Sequence, residues 1–155
     1  MAAPPTRACS GRAPRWPRVA DVEVAGRARG LPPATVRRVV TAVLRGERRD
    51  AVCTVSFVGP RTMRRLNARF KGHDRPTDVL AFPLPHGARL VGDIYVCPAV
   101  AVREARRRGI SARTELIRLV VHGTLHVLGH DHPDDDGRER SAMWRRQERY
   151  VGALA

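Results

Sequence analysis

The sequence predicts an α+β fold, with four strand-like segments set among five helical ones. Three observations lead there. Apolar residues switch along the chain between helical spacing and β-branched runs. Prolines and glycines fall at the joints between those segments, prolines where helices open and glycines where they stop. One helical segment near the C-terminus is apolar on almost every side, which marks a buried central helix rather than a surface one. The 155 residues, 43% of them hydrophobic, suffice for one domain with a real core.

The elements follow in order. Residues 1–18 are rich in Pro, Ala and Arg and hold no acidic residue, so they read as a disordered basic tail; four prolines argue against a transit helix. Residues 19–155 read as one domain. Apolar positions alternate loosely over 19–24, as in a strand. Pro32 and Pro33 open a helix to about Arg45 with Val36, Val39, Val40, Val43 and Leu44 on one face. The β-branched stretch 51–58 reads as a strand. Pro60 starts a helix with Met63 and Leu66 inward and Arg61, Arg64, Arg65 and Arg69 outward. A loop spans 70–77, and strands at 78–82 and 90–96 flank a turn expected over 83–87. Pro98 begins a basic helix that Gly109 stops. The apolar helix runs over 112–128, with Ser111 or Thr114 as its cap and Glu115 in its first turn. A last helix is expected to open at Pro133 and the acidic 134–136 run and to end near Val151.

Charge narrows the partners. The net charge of +14 favours polyanions, because each cation placed on a phosphate releases counterions. Of the 29 basic residues only Lys71 is a lysine. The exposed arginines at 61, 64, 65, 103, 106, 107 and 108, on two helix faces, are expected to track nucleic-acid phosphates. Apolar runs are far too short to span a bilayer, so no membrane role is expected. Cys9, Cys53 and Cys97 form no C-x-x-C pair; they suggest neither a disulfide framework nor a thiolate metal site, and fit a reducing cytoplasm.

The chemistry concentrates in His122-Gly-Thr-Leu-His126-Val-Leu-Gly129-His130-Asp131-His132. Residues four apart share a helix face, so His122 and His126 project together. Gly129 can end the helix in a left-handed turn and send His132 back to the same point. Three imidazoles suit one Zn²⁺ and leave a coordination position open, as catalytic zinc sites do. The spacing matches the metzincin motif H-E-x-x-H-x-x-G-x-x-H except that Gly123 stands where that motif keeps its general base. Asp131 can orient a ligand imidazole or cap the turn. Arg118, one turn before His122, can meet a phosphate or snorkel from the buried helix to solvent.

The histidine segment is similar to the H-G-x-L-H-L-x-G-Y-D-H signature of the YbeY family of bacterial endoribonucleases. Leu66-Asn67, then Phe70-Lys71-Gly72-His73-Asp74-Arg75-Pro76-Thr77-Asp78-Val79-Leu80-Ala81-Phe82-Pro83, resembles the family's L-N…Y-R-G-K-D-K-P-T-D-V-L-S-F-P segment, and Gly92-Asp93-Ile94 its G-D-I strand. Met143 and Gln147-Glu148 resemble its last helix. The resemblance covers residues 51–152. It implies a mixed sheet of about four strands with a zincin-like central helix carrying the ligands His122, His126 and His132. It further implies a single-strand-specific, metal-dependent endoribonuclease, cytoplasmic, acting on ribosomal RNA and the small ribosomal subunit in 3′-end maturation and ribosome quality control. Lys71 falls where some members carry a functional arginine; it keeps the charge and loses the bidentate fork. His130 replaces the family's tyrosine and reads as an exposed turn residue, and Ala81 replaces a serine. Two rival readings are a zinc peptidase of metzincin-like ligand spacing and a non-enzymatic RNA-binding assembly factor with structural zinc.

Overall fold

The computed structural model describes residues 21–86, 89–133 and 137–155; the tail expected over 1–18 and the acidic run at 134–136 lie outside them. Strand β1 (Asp21–Ala25) leads into α1 (Pro33–Gly46), β2 (Ala51–Phe57) and α2 (Pro60–Lys71). A loop connects to the hairpin β3 (Val79–His86) and β4 (Arg89–Val96), followed by α3 (Pro98–Arg108), α4 (Ala112–Val127), a 3-10 turn (Arg138–Arg140) and α5 (Ala142–Leu154). The four strands form one mixed sheet in the order β1-β2-β4-β3. β1, β2 and β4 run parallel, and β3 is antiparallel to β4 at the edge.

Helix α1 forms as its spacing predicts. Pro32 takes the cap position with Pro33 next, and Val36, Val39, Val40, Val43 and Leu44 are all buried. Each such side chain contributes about 1.5–3 kcal/mol of burial, so a charge at Val40 would break the contact of α1 with α4.

Helix α4 is the centre of the molecule, packed on α1, α3, α5 and on strands β3 and β4. Ser111 caps it, accepting a hydrogen bond from the Thr114 backbone N–H at 3.0 Å, so the cap is Ser111 and not Thr114. Two glycines set its close approach to the sheet. A Cβ on Gly123 would lie 2.5 Å from Ile94 Cγ2 of β4, and one on Gly92 of β4 would overlap Val127 of α4. Gly92 and Ile94 share a face by strand alternation. The G-D-I strand and the H-G-x-L-H helix thus interlock, each leaving out a side chain where the other fills space.

Two elements differ from expectation. β3 continues through Pro83 and Pro85 to His86, with Pro83 opposite Gly92 and Leu84 opposite Val91. A strand at the sheet edge can hold prolines because half of its N–H groups face no partner, so the expected turn over 83–87 shrinks to the hairpin tip. α5 starts at Ala142 rather than near Pro133, because Ser141 caps it with a hydrogen bond from the Trp144 N–H at 3.0 Å.

Candidate metal centre and cleft

His122 and His126 project from one face of α4 as the i, i+4 spacing demands. The helix then closes in a Schellman turn. Gly129 takes φ +88°, its N–H bonds the His126 carbonyl at 2.9 Å, and the His130 N–H bonds the Leu125 carbonyl at 3.0 Å. That reversal returns His132 to the helix. The three Nε2 atoms stand 3.1 Å (His122–His126), 3.3 Å (His126–His132) and 3.4 Å (His122–His132) apart.

Hydrogen bonding at the far ring nitrogens explains why these atoms face one another. His132 Nδ1 lies 2.8 Å from the Pro133 carbonyl, which can only accept, so that nitrogen carries the proton. His122 Nδ1 lies 2.7 Å from Gln147 Oε1, and Gln147 Nε2 donates to Glu148 Oε1 at 3.0 Å. The carboxylate fixes the amide orientation, and the amide fixes the His122 tautomer. In both rings Nε2 is left as a bare lone pair aimed at its neighbours. Burial, reinforced by His126, pushes the His122 imidazole down to about 3, although the Gln147 hydrogen bond pulls the other way. Burial followed by His132 lowers His126 as well. Neutral imidazoles with converging lone pairs repel unless a cation lies between them. A tetrahedral site with Zn–N bonds of about 2.0–2.1 Å spaces its nitrogens about 3.3–3.4 Å apart, so the donor set fits a zinc-type ion.

These histidines open onto a cleft of about 560 Å³ whose walls include Lys71, Asp78, Ala81, Asp131 and Arg138. The loop before β3 is held by hydrogen bonds at both ends. Asn67, buried on α2, donates to the Arg75 carbonyl at 2.8 Å, and Asp78 Oδ1 accepts from the Val79 N–H at 2.8 Å and the Thr77 hydroxyl at 3.1 Å. Those bonds place the end of α2, and with it Lys71, at the cleft.

Several sequence expectations need correction. Arg118 does not reach the cleft. It is 13% exposed and bound on two sides, to Glu115 Oε2 at 2.6 Å and to Glu148 at 2.9 and 3.1 Å. It neither meets a phosphate nor snorkels; it anchors the carboxylate that orients Gln147. Asp131 caps the turn, accepting the His132 N–H at 2.8 Å, while its 3.9 Å distance to His126 Nδ1 is too long for a hydrogen bond. His130 is half-buried, with Nε2 3.1 Å from Glu47 Oε2, instead of free in solvent. Gly123 cannot be read as a metzincin helix that has lost its base, because Ile94 fills the space a side chain there would need. Among the arginines expected on RNA, Arg64 is paired with Asp74 at 2.6 Å, Arg107 with Glu104 at 3.1 Å, and Arg103 lies 3.9 Å from Glu104. Arg61, Arg65 and Arg106 are exposed and have no ion pair among the described residues.

Sequence reasoning missed two residues. Gln147 lies on another helix, 25 positions from its partner, and only its place in the family-like last helix hinted at a role. Arg138 lines the cleft with its Nε buried and without a hydrogen-bond partner among the described residues, and its charge helps to lower both His122 and His126. No local pattern singled it out among 28 other basic residues.

A cleft in an α+β domain with three converging imidazoles at its floor and the cations Lys71 and Arg138 on its walls is the make-up of a metal-dependent hydrolase. The chain matches the family described as Endoribonuclease YbeY over residues 30–155. A curated Thermotoga maritima relative of that name is 38% identical over 109 residues, 70% of this chain and 71% of its own. One from Xanthomonas oryzae pv. oryzae is 42% identical over 123 residues, 74% of this chain and 75% of its own. A solution structure of a Thermotoga maritima protein superposes with a TM-score of 0.62 at 32% identity, covering 86% of this chain and 88% of that one. The chain belongs to the YbeY family of endoribonucleases. Among the described residues no helix is long and apolar enough to cross a membrane.

Proposed function

We propose that this chain is a single-strand-specific endoribonuclease of the cytoplasm that matures ribosomal RNA, including the 3′ end of the small-subunit RNA, and serves ribosome quality control. Residues 19–155 are its catalytic domain, and the basic tail 1–18 adds only non-specific affinity. One observation carries the reading: three imidazole Nε2 atoms meet within 3.4 Å of one another at the floor of a cleft whose walls include Lys71 and Arg138. His122, His126 and His132 hold one Zn²⁺. When bound, such an ion polarises a phosphoryl oxygen and lowers the pKa of a water toward about 7.

The remaining work falls to the chain itself. Lys71 and Arg138 neutralise charge that builds on the phosphate during cleavage. Gln147, held by Glu148 and Arg118, keeps the His122 donor atom aimed into the cleft. Arg61, Arg65 and Arg106 track flanking phosphates, which makes binding steeply salt-dependent. The peptidase reading is disfavoured because position 123 has no base and no room for one. A purely structural zinc is disfavoured because, among the described residues, only His122, His126 and His132 gather donor atoms around one point, which leaves a coordination position open.

The test is metal-loaded protein with ribosomal RNA and, separately, a peptide substrate, beside His126→Ala. The expected result is RNA cleavage by the wild type alone, loss of metal in the variant by elemental analysis, and no peptide hydrolysis. RNA cleavage persisting in a metal-free His126→Ala protein would reject the metal assignment, and peptide hydrolysis would reject the substrate class.

A further inference from the structure

Two large hydrophobic side chains stand exposed among the described residues, Phe70 at 51% and Leu84 at 42%. Both belong to one patch. The Phe70 ring lies 4.9 Å from that of Phe82, tilted by 56°, and Leu84 follows Phe82 by two residues on β3 and so shares its face. Phe82 meets Tyr95 edge-on at 6.0 Å and packs against the smaller core cluster around Met63 and Leu80. Phe70 is therefore an outer ring seated on a partly buried aromatic pair. The Arg69 guanidinium carbon is 5.3 Å from its centroid. The next residue, Lys71, lines the cleft.

Charge selects the occupant. Helix α2, which ends in Arg69-Phe70-Lys71, has no acidic residue and exposes Arg61 and Arg65 without ion pairs among the described residues. A second copy of this surface would be repelled by it. A polyanion with flat apolar rings would be attracted twice, through its phosphates and through its bases.

We infer that Phe70, seated on Phe82 and flanked by Arg69 and Lys71, is a stacking platform for one unpaired base of an RNA strand whose phosphate lies in the cleft. The inference rests on the RNA reading above and deepens it. An aromatic face accepts any base, so the platform gives no sequence preference. A duplexed base is already stacked between its neighbours and cannot be spared, so the platform selects single strands.

The test is equilibrium binding of a short single-stranded RNA, shown by gel electrophoresis to stay intact through the measurement, and of the same strand in a duplex. Wild type, Phe70→Ala and Phe70→Trp are compared, with metal content and thermal unfolding measured for each. Phe70→Ala is expected to weaken single-strand binding about tenfold and leave duplex binding unchanged. Phe70→Trp is expected to retain affinity, with its fluorescence quenched by the single strand and far less by the duplex. Equal losses on both nucleic acids, an unquenched tryptophan, or self-association that depends on Phe70 would each overturn the platform. If Phe70→Ala unfolds, the tryptophan quench decides. A wild type that binds the strand in this manner yet leaves ribosomal RNA uncut would defeat the nuclease reading alone. A wild type that cuts, with Phe70→Ala binding unchanged, would defeat the platform alone.

Discussion

Replacing Gln147 by Met keeps the volume of a side chain that is 1% exposed but removes the oxygen that accepts the His122 Nδ1–H at 2.7 Å. His122 is itself buried, so no water is at hand to replace the acceptor. An unsatisfied buried donor costs about 1–3 kcal/mol. In the metal-free protein a loss of about 2 kcal/mol lowers Tm by roughly 4–8 °C for a chain of this size. The ring is also free to change tautomer or rotate, and loss of such an outer partner typically weakens metal binding by about 10–100-fold. Chelator competition with zinc, paired with thermal unfolding of the metal-free protein, measures both. Gln147→Glu keeps an acceptor for His122 but sets a carboxylate where Gln147 Nε2 donates to Glu148, so it should lose stability yet hold metal better than Gln147→Met. If Gln147→Met lost stability but bound zinc with wild-type affinity, the residue would be core packing and the relay from Arg118 to His122 would have no part in the site.

Gly123→Ala should destabilise the protein by about 1–3 kcal/mol through overpacking, since its Cβ would fall 2.5 Å from Ile94 Cγ2; urea unfolding measures this, and a partner change of Ile94→Ala should recover part of the loss. A Gly123→Ala protein as stable as wild type would mean that α4 can move off the sheet at little cost. Glu47 gives a pH signature. Burial raises its pKa, but hydrogen bonds from Arg146, Tyr150 and His130 outweigh burial and hold the carboxyl below its ordinary 4.5. A carboxyl depressed by folding contributes stability above its unfolded pKa and loses it as pH falls through the folded value. Glu47→Gln should therefore be less stable than wild type at neutral pH, with the gap closing as pH drops below about 4.5; unfolding at pH 7 and pH 3 checks it, and a constant gap would refute the ionised role.

The parts of this protein that local geometry dictates were readable from the chain alone. Spacing of four puts His122 and His126 on one helix face, and a left-handed glycine at 129 returns His132, because those relations depend only on helix pitch and a single backbone torsion. The apolar faces of α1 and α4 and the proline-opened helices are local in the same sense. Partnerships between elements depended on packing register, which no local pattern encodes. Glu115 beside Arg118 was visible as an i, i+3 pair, but the clamp from Glu148 comes from 30 residues away and turns Arg118 from a candidate phosphate ligand into an anchor. His130 meets Glu47 across 83 residues. Gly123 resembled a lost catalytic base until Ile94 was seen to occupy its space. β3 outran its prolines because it lies at a sheet edge, and Arg138 reached the cleft only through the chain's path between α4 and α5. Residue type and spacing determined which atoms could bind a metal; the tertiary structure decided which neighbours orient those atoms, and which cations remain free to meet a substrate, because an ion pair or hydrogen bond exists only where folding brings both partners within about 3 Å.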